Sequence, residues 1–165
     1  MNRRDEFSSF ETADALGIPI ERMRQWMKLD FISPSVPAKG QGTKAIFKRG
    51  DVYRAALFLS LVDYGINRKY ASSMSNVLMN ASNLKTVLSE IDSHAGGLQG
   101  ELMLIVIKRK DIDDESGLRM ITCRSLPSIE EITTEPDTNE RFVWDKFIVI
   151  NMKQLTEDID ARLPE

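Results

Sequence analysis

The sequence is poor in metal-binding and redox side chains: its 165 residues include one cysteine, Cys123, and one histidine, His94. A single cysteine excludes an internal disulfide. The two residues together are too few for a zinc site built from protein ligands, so no metal or other cofactor is expected. A lone cysteine in an apolar strand reads as a small packed hydrophobe rather than a redox sensor. No run approaches the roughly 18 consecutive apolar residues of a membrane helix. The opening MNRRDEFSSF carries two arginines but no apolar stretch of a secretory signal, so the expectation is a cytoplasmic protein with no membrane partner. There is no Gly-rich phosphate loop and no linked nucleophile and base, and an enzyme is not expected. The cluster Asp111, Asp113, Asp114 and Glu115 lacks the ligand spacing of a calcium loop and reads as a solvated turn.

What is present is an ordinary globular composition, 42% apolar and 28% charged, with a strong internal asymmetry of charge. Residues 1–80 hold 12 Lys/Arg and 8 Asp/Glu, whereas residues 81–165 hold 10 and 17. Within 20–54 the balance is 8 basic to 3 acidic. Positive charge gathered in one segment suits a polyanion, and the acidic half would be repelled by the same polyanion.

Local patterns divide the chain. Residues 1–6 read as a short flexible lead. Ser8 and Glu11 have capping-box spacing, and Phe10, Ala13 and Leu16 follow at helical intervals up to Gly17. Pro19 opens a second helix to about Leu29, with Ile20, Met23, Trp26 and Met27 as its apolar side. Arg22, Gln25 and Lys28 fall outside that stripe, and Arg24 lies near its edge. The two prolines of FISPSVP enforce an extended path, with Phe31 and Ile32 plugging the core. Gly40 and Gly42 suit a hairpin tip, with Ala45 to Phe47 as the returning strand. Asp51 is placed to cap a third helix to about Tyr64, with Leu57, Leu61 and Val62 inward, and a fourth spans Asn67 to Met79.

Residues 82–94 have helical spacing, and GGLQG marks a hinge. Strands are then expected at Leu102–Ile107, Leu118–Cys123 and Phe142–Ile150, the last bent near Asp145 and Lys146. The polar stretch 125–140 reads as a loop with a short helix at 128–132. Asn151 precedes a final helix with Leu155, Ile159 and Leu163 inward. The expected fold is α+β. A mostly helical winged helix-turn-helix occupies 7–80, and a helix and hinge occupy 81–97. A small α+β domain of about three antiparallel strands and a helix fills 98–165, serving dimerisation or a protein or small-molecule partner.

Two short helices joined by a tight turn, the second one basic, meet the geometry that places a helix in the major groove. Arg22, Arg24, Gln25 and Lys28 supply donors for phosphates and base edges, and Trp26 is the anchor, expected against the first helix. Lys39, Lys44, Lys48 and Arg49 cluster around the hairpin glycines, as a wing on the DNA backbone requires. The function expected is sequence-specific recognition of double-stranded DNA by a homodimeric transcriptional regulator. Apolar runs at 102–107 and 147–150 are candidates for a sheet continued across the dimer. The alternative is an architectural, recombination or phage-assembly module with the same fold.

These residues resemble a known family. GIPIERMRQWMKLDFISPS followed by GQGTKAIFKRGDVYRAALFLSLVDYGI looks like the DNA-binding domain of MerR-type transcription regulators, over about residues 7–78. In that family a short helix ends in glycine, here Gly17. An arginine stands two residues before an aromatic on the recognition helix, here Arg24 and Trp26. A GL-x-P element follows, here Asp30 to Pro34, then a wing ending in arginine–apolar–tyrosine, here Lys44 to Phe47. The resemblance implies phosphate contacts at Arg24 and Lys44, with Arg22 and Gln25 nearer the bases. The chain departs from the family at Pro19 for a serine or threonine cap, Gln25 for an aromatic, Asp30 for glycine and Lys44 for arginine. It also lacks the family's long dimer helix and its metal-sensing cysteines.

Overall fold

The computed structural model describes residues 4–40, 43–79, 103–109, 118–123 and 144–165. The fold is α+β, and the chain divides into two units: Met1–Val87 with Gln154–Glu165, and Leu88–Lys153.

The first unit begins with a strand that was not expected, which overlaps the expected lead only at Glu6. β1 (Glu6–Ser8) pairs antiparallel with β2 (Ile46–Lys48), setting Phe7 opposite Phe47, and both rings are buried. Three residues with one apolar side chain carry no detectable period, so only the distant partner reveals the strand. Ser8 then caps α1 (Ser9–Ala15). Its Oγ accepts the Glu11 N–H at 3.3 Å, and the Glu11 carboxylate accepts the Ser8 N–H at 2.7 Å, the expected reciprocal box. Glu11 also takes two bonds from the Arg4 guanidinium. The Ser8 N–H, and after it Arg4, hold the Glu11 carboxyl down at about 2.

Three helices of this unit end in one way. After α1, α2 (Ile20–Lys28) and α3 (Arg49–Asp63), a residue at positive φ reverses the chain, and the next N–H bonds back into the last turn. Those bonds run from Ile18 to the Ala13 carbonyl, from Phe31 to Trp26 and from Ile66 to Leu61, all within 2.9–3.0 Å. Gly17 and Gly65 make two of the reversals without a Cβ clash, whereas Asp30 makes the third at φ 57° with one.

The core gathers Met23, Phe47, Val52, Leu57, Phe58 and Leu61 around α3, with Ile32 beneath the turn after α2. Val62 is only half-buried, and Phe10, which shares helical spacing with the buried Ala13 and Leu16, is exposed. Asp51 does not occupy the cap. It is the third residue of α3, and its carboxylate reaches back to the Lys48 N–H at 2.9 Å. The fourth helix, α4 (Arg68–Leu78), is capped by the Asn67 side chain on the Lys69 N–H.

The final helix, α5 (Met152–Asp160), was grouped with the strands by sequence proximity, but from Gln154 onward it belongs to the first unit. Its Asp160 carboxylate accepts the Arg49 guanidinium and the Tyr53 hydroxyl, and Arg162 bonds the Ala15 carbonyl.

The second unit contains a three-stranded antiparallel sheet in the order β4 (Leu118–Cys123), β3 (Met103–Arg109), β5 (Trp144–Asn151). Ile105 of β3 stands opposite Ile121 on one side and Val149 on the other. Leu104 to Ile107 are all buried, which is why this segment reads as a continuous apolar run rather than an alternation. Being paired on both sides, it has no edge to offer a second chain, and β4 and β5 are the outer strands among those described. The bend expected near Asp145 is a bulge: Lys108 faces Lys146 but Arg109 faces Trp144, leaving Asp145 as the extra residue.

The helices expected at 82–94 and 128–132, the GGLQG hinge, His94 and the acidic turn at 111–115 lie outside the described residues. No helix among the described residues is long and apolar enough to cross a membrane.

Candidate nucleic-acid interface

The second helix is polar on one side for a local reason. Its buried residues, Met23 and Trp26, stand three apart, so the intervening and flanking positions point away from the core. Arg22, Arg24, Gln25 and Lys28 are all exposed. Trp26 anchors the helix on α3: its ring meets Phe58 edge-on, with centroids 5.1 Å apart. Phe31 stacks on the same Phe58 ring at 6.0 Å, so the reversal at Asp30 is packed as well as hydrogen-bonded. Two of the arginines lie over aromatic rings. The Arg22 guanidinium is 5.8 Å from the Trp26 ring centre, and that of Arg24 is 5.4 Å from Phe10.

The basic loop is closed by a single antiparallel bridge. Val36 and Ile46 exchange both backbone hydrogen bonds, at 3.1 and 2.9 Å. Lys39 and Lys44 lie between them and are exposed. Near the tip, the Gly40 carbonyl accepts both the N–H and the hydroxyl of Thr43. Gly42 lies outside the described residues.

Asp51 fastens the base of this loop to α3. Besides the Lys48 N–H, its carboxylate accepts the Ser35 N–H at 2.8 Å and the Arg54 guanidinium at 3.0 Å. Arg54 in turn donates to the Ser33 carbonyl at 2.6 Å. One carboxylate, 8% exposed as a residue, therefore ties the extended segment, the returning strand and the third helix together. Spacing alone showed an acidic residue near a helix start. The 16-residue separation from Ser35 hid its second task.

The eight basic and polar residues singled out from the sequence separate into two groups. Seven are exposed: four on α2, Lys39 and Lys44 on the loop, and Lys48 on β2. Among the described residues none of these seven side chains is held in an ion pair. Arg49 differs. Its guanidinium pairs with Asp160, donates to the Arg4 carbonyl at 2.8 Å and covers the Phe7 ring at 5.5 Å. Tyr53 completes the cluster by donating to Asp160 at 2.7 Å. Burial, and then the Asp160 carboxylate, hold the Tyr53 phenol well above the usual tyrosine range, so it remains a donor.

No protein-family model matches the chain, and neither does any curated protein. Among the described residues, no group of three or more His, Cys, Asp or Glu is placed to hold a metal ion. The residue that sequence reasoning missed is Phe10. Its spacing marked it only as one apolar position of the first helix, and its exposure beside Arg24 is what sets it apart.

Proposed function

We propose that this chain is a sequence-specific, double-stranded DNA-binding transcriptional regulator of MerR-like type. It would insert α2 into the major groove and lay the 36–46 loop on the adjacent backbone as a wing. The observation that carries the reading is α2 itself: Arg22, Arg24, Gln25 and Lys28 all exposed, on a nine-residue helix anchored from behind by Trp26 on Phe58. The loop adds Lys39 and Lys44, and its base is braced by Asp51, as a phosphate-contacting arm requires. The MerR-like reading also draws support from Asp30. The position that the family fills with glycine has φ 57° here, the conformation that makes glycine favourable. Binding as a homodimer belongs to the same proposal, because paired reading helices match a two-fold site. Arg49 is committed to Asp160, so the phosphate contacts assigned to the wing rest on Lys39, Lys44 and Lys48.

The test is selection of bound duplexes from a random pool by the full chain. A short preferred sequence with two-fold symmetry is expected. Tight binding without preference would instead support an architectural role, and no binding at low salt would refute the reading outright.

A further inference from the structure

We infer that Phe10 is a positioning residue for Arg24, holding its guanidinium ready for a DNA phosphate. The inference rests on the DNA-binding reading above and deepens it. Phe10 is 61% exposed, the most exposed large apolar side chain among the described residues. It stands in the first turn of α1, beside an open depression lined by Ala13, Asp14, Ile18 and Ile20. An aromatic ring so exposed contributes little to the core, so its role lies in what it touches. The Arg24 guanidinium carbon lies 5.4 Å from the ring centre.

A guanidinium held over a ring face is drawn by the ring's negative face rather than by an oxygen acceptor, so its N–H donors are not consumed by the contact. Among the described residues no carboxylate takes those donors. The neighbouring Glu11 is engaged by Arg4 and the Ser8 N–H. Arginine otherwise samples many rotamers and loses them on binding. The ring removes part of that loss in advance, and it links the first helix to a contact made by the second.

The test measures affinity of the full chain for its best selected duplex in four variants: Phe10→Ala, Phe10→Tyr, Arg24→Ala and the double change Phe10→Ala with Arg24→Ala. Phe10→Ala should weaken binding by about threefold, and Phe10→Tyr should restore it, because both rings carry the same negative face. The slope of affinity against salt should stay as in the wild type in Phe10→Ala and fall by about 1 in Arg24→Ala. In the Arg24→Ala background, loss of Phe10 should have no further effect. An undiminished loss there would mean that Phe10 touches DNA itself and would overturn the inference. So would wild-type affinity in Phe10→Ala.

A second measurement needs no DNA. The ring-current shift of the Arg24 side-chain protons in the free protein should vanish in Phe10→Leu. If it is absent in the wild type, the pairing is wrong. A wild-type chain that binds no duplex at low salt overturns the DNA reading and this inference together, whereas a binding chain indifferent to Phe10 overturns only the inference.

Discussion

Three arginines in the first unit cover phenylalanine rings at nearly the same distance, Arg4 and Arg49 over Phe7 at 5.5 Å and Arg24 over Phe10 at 5.4 Å, and the last two make the contrast. Their surroundings are opposite. Phe7 is 1% exposed and Phe10 61%. Arg49 is ringed by acceptors, the Asp160 carboxylate and the Arg4 carbonyl, whereas among the described residues Arg24 has no carboxylate partner. One contact therefore closes the structure, drawing the first strand and the last helix onto α3. The other leaves a positive group facing solvent in a preset orientation. The type of contact does not reveal the task of an arginine. The acceptors around it do.

The strongest way to break this comparison is Asp160→Ala. It leaves the Arg49 guanidinium and the Tyr53 hydroxyl without their shared acceptor, and should cost about 2 kcal/mol in urea denaturation. Arg24→Ala, at an exposed position, should cost less than about 0.5 kcal/mol. Equal losses would erase the distinction between the two arginines.

Charge reversal sharpens the same contrast on the functional side. Arg24→Glu and Lys44→Glu should each weaken duplex binding about tenfold, or about 1.4 kcal/mol, whatever the sequence, because both are assigned to phosphates. Gln25→Ala should instead alter the ranking of duplexes. These values are read by titration at two salt concentrations.

Acid should loosen the cap beside both rings. The Glu11 carboxyl is depressed from 4.5 to about 2, so the ionised form is favoured by folding. Its contribution is complete above pH 4.5 and is lost as pH falls toward 2. Glu11→Gln should lower stability at pH 7 by about 1 kcal/mol and flatten this part of the acid profile, measured by thermal unfolding across pH. Thr12, the next residue, is fully buried, and among the described residues its hydroxyl has no hydrogen-bond partner. Thr12→Val should therefore stabilise the chain by about 1 kcal/mol without moving DNA affinity. The smallest effect is expected from Asp30→Gly, a gain of about 0.5 kcal/mol. It relieves the left-handed conformation at the cost of a more flexible unfolded chain.

Much of the fold was legible locally. The capping box at Ser8, the stop at Gly17, the span of α4 and the whole of β4 follow from residues within a few positions of one another. The bulge at Asp145 was visible as two charged residues breaking an apolar strand. The candidate site was legible in the same sense. The stripe of α2 separates Met23 and Trp26 from Arg22, Gln25 and Lys28 by period alone. The exposure of Phe10 was not legible, because helical spacing marks a face without telling whether another element covers it. Asp51 was misplaced because a carboxylate at the cap and one at the third helical residue leave similar sequence signals.

The sequence by itself determined the five described helices, the strands at 118–123 and 144–151, the polar side of α2 and the concentration of positive charge between residues 20 and 54. These depend on side-chain period and backbone preference, which act over one or two turns. Only the tertiary structure decided that residues 6–8 are a strand, that Trp26 rests on α3, that the last helix joins the first unit, and that Arg49 is a clasp while Arg24 faces solvent. Each of those outcomes depends on partners distant along the chain. The clasp joins Arg49 to a carboxylate 111 residues away, and no local period records which distant group will fill a given place.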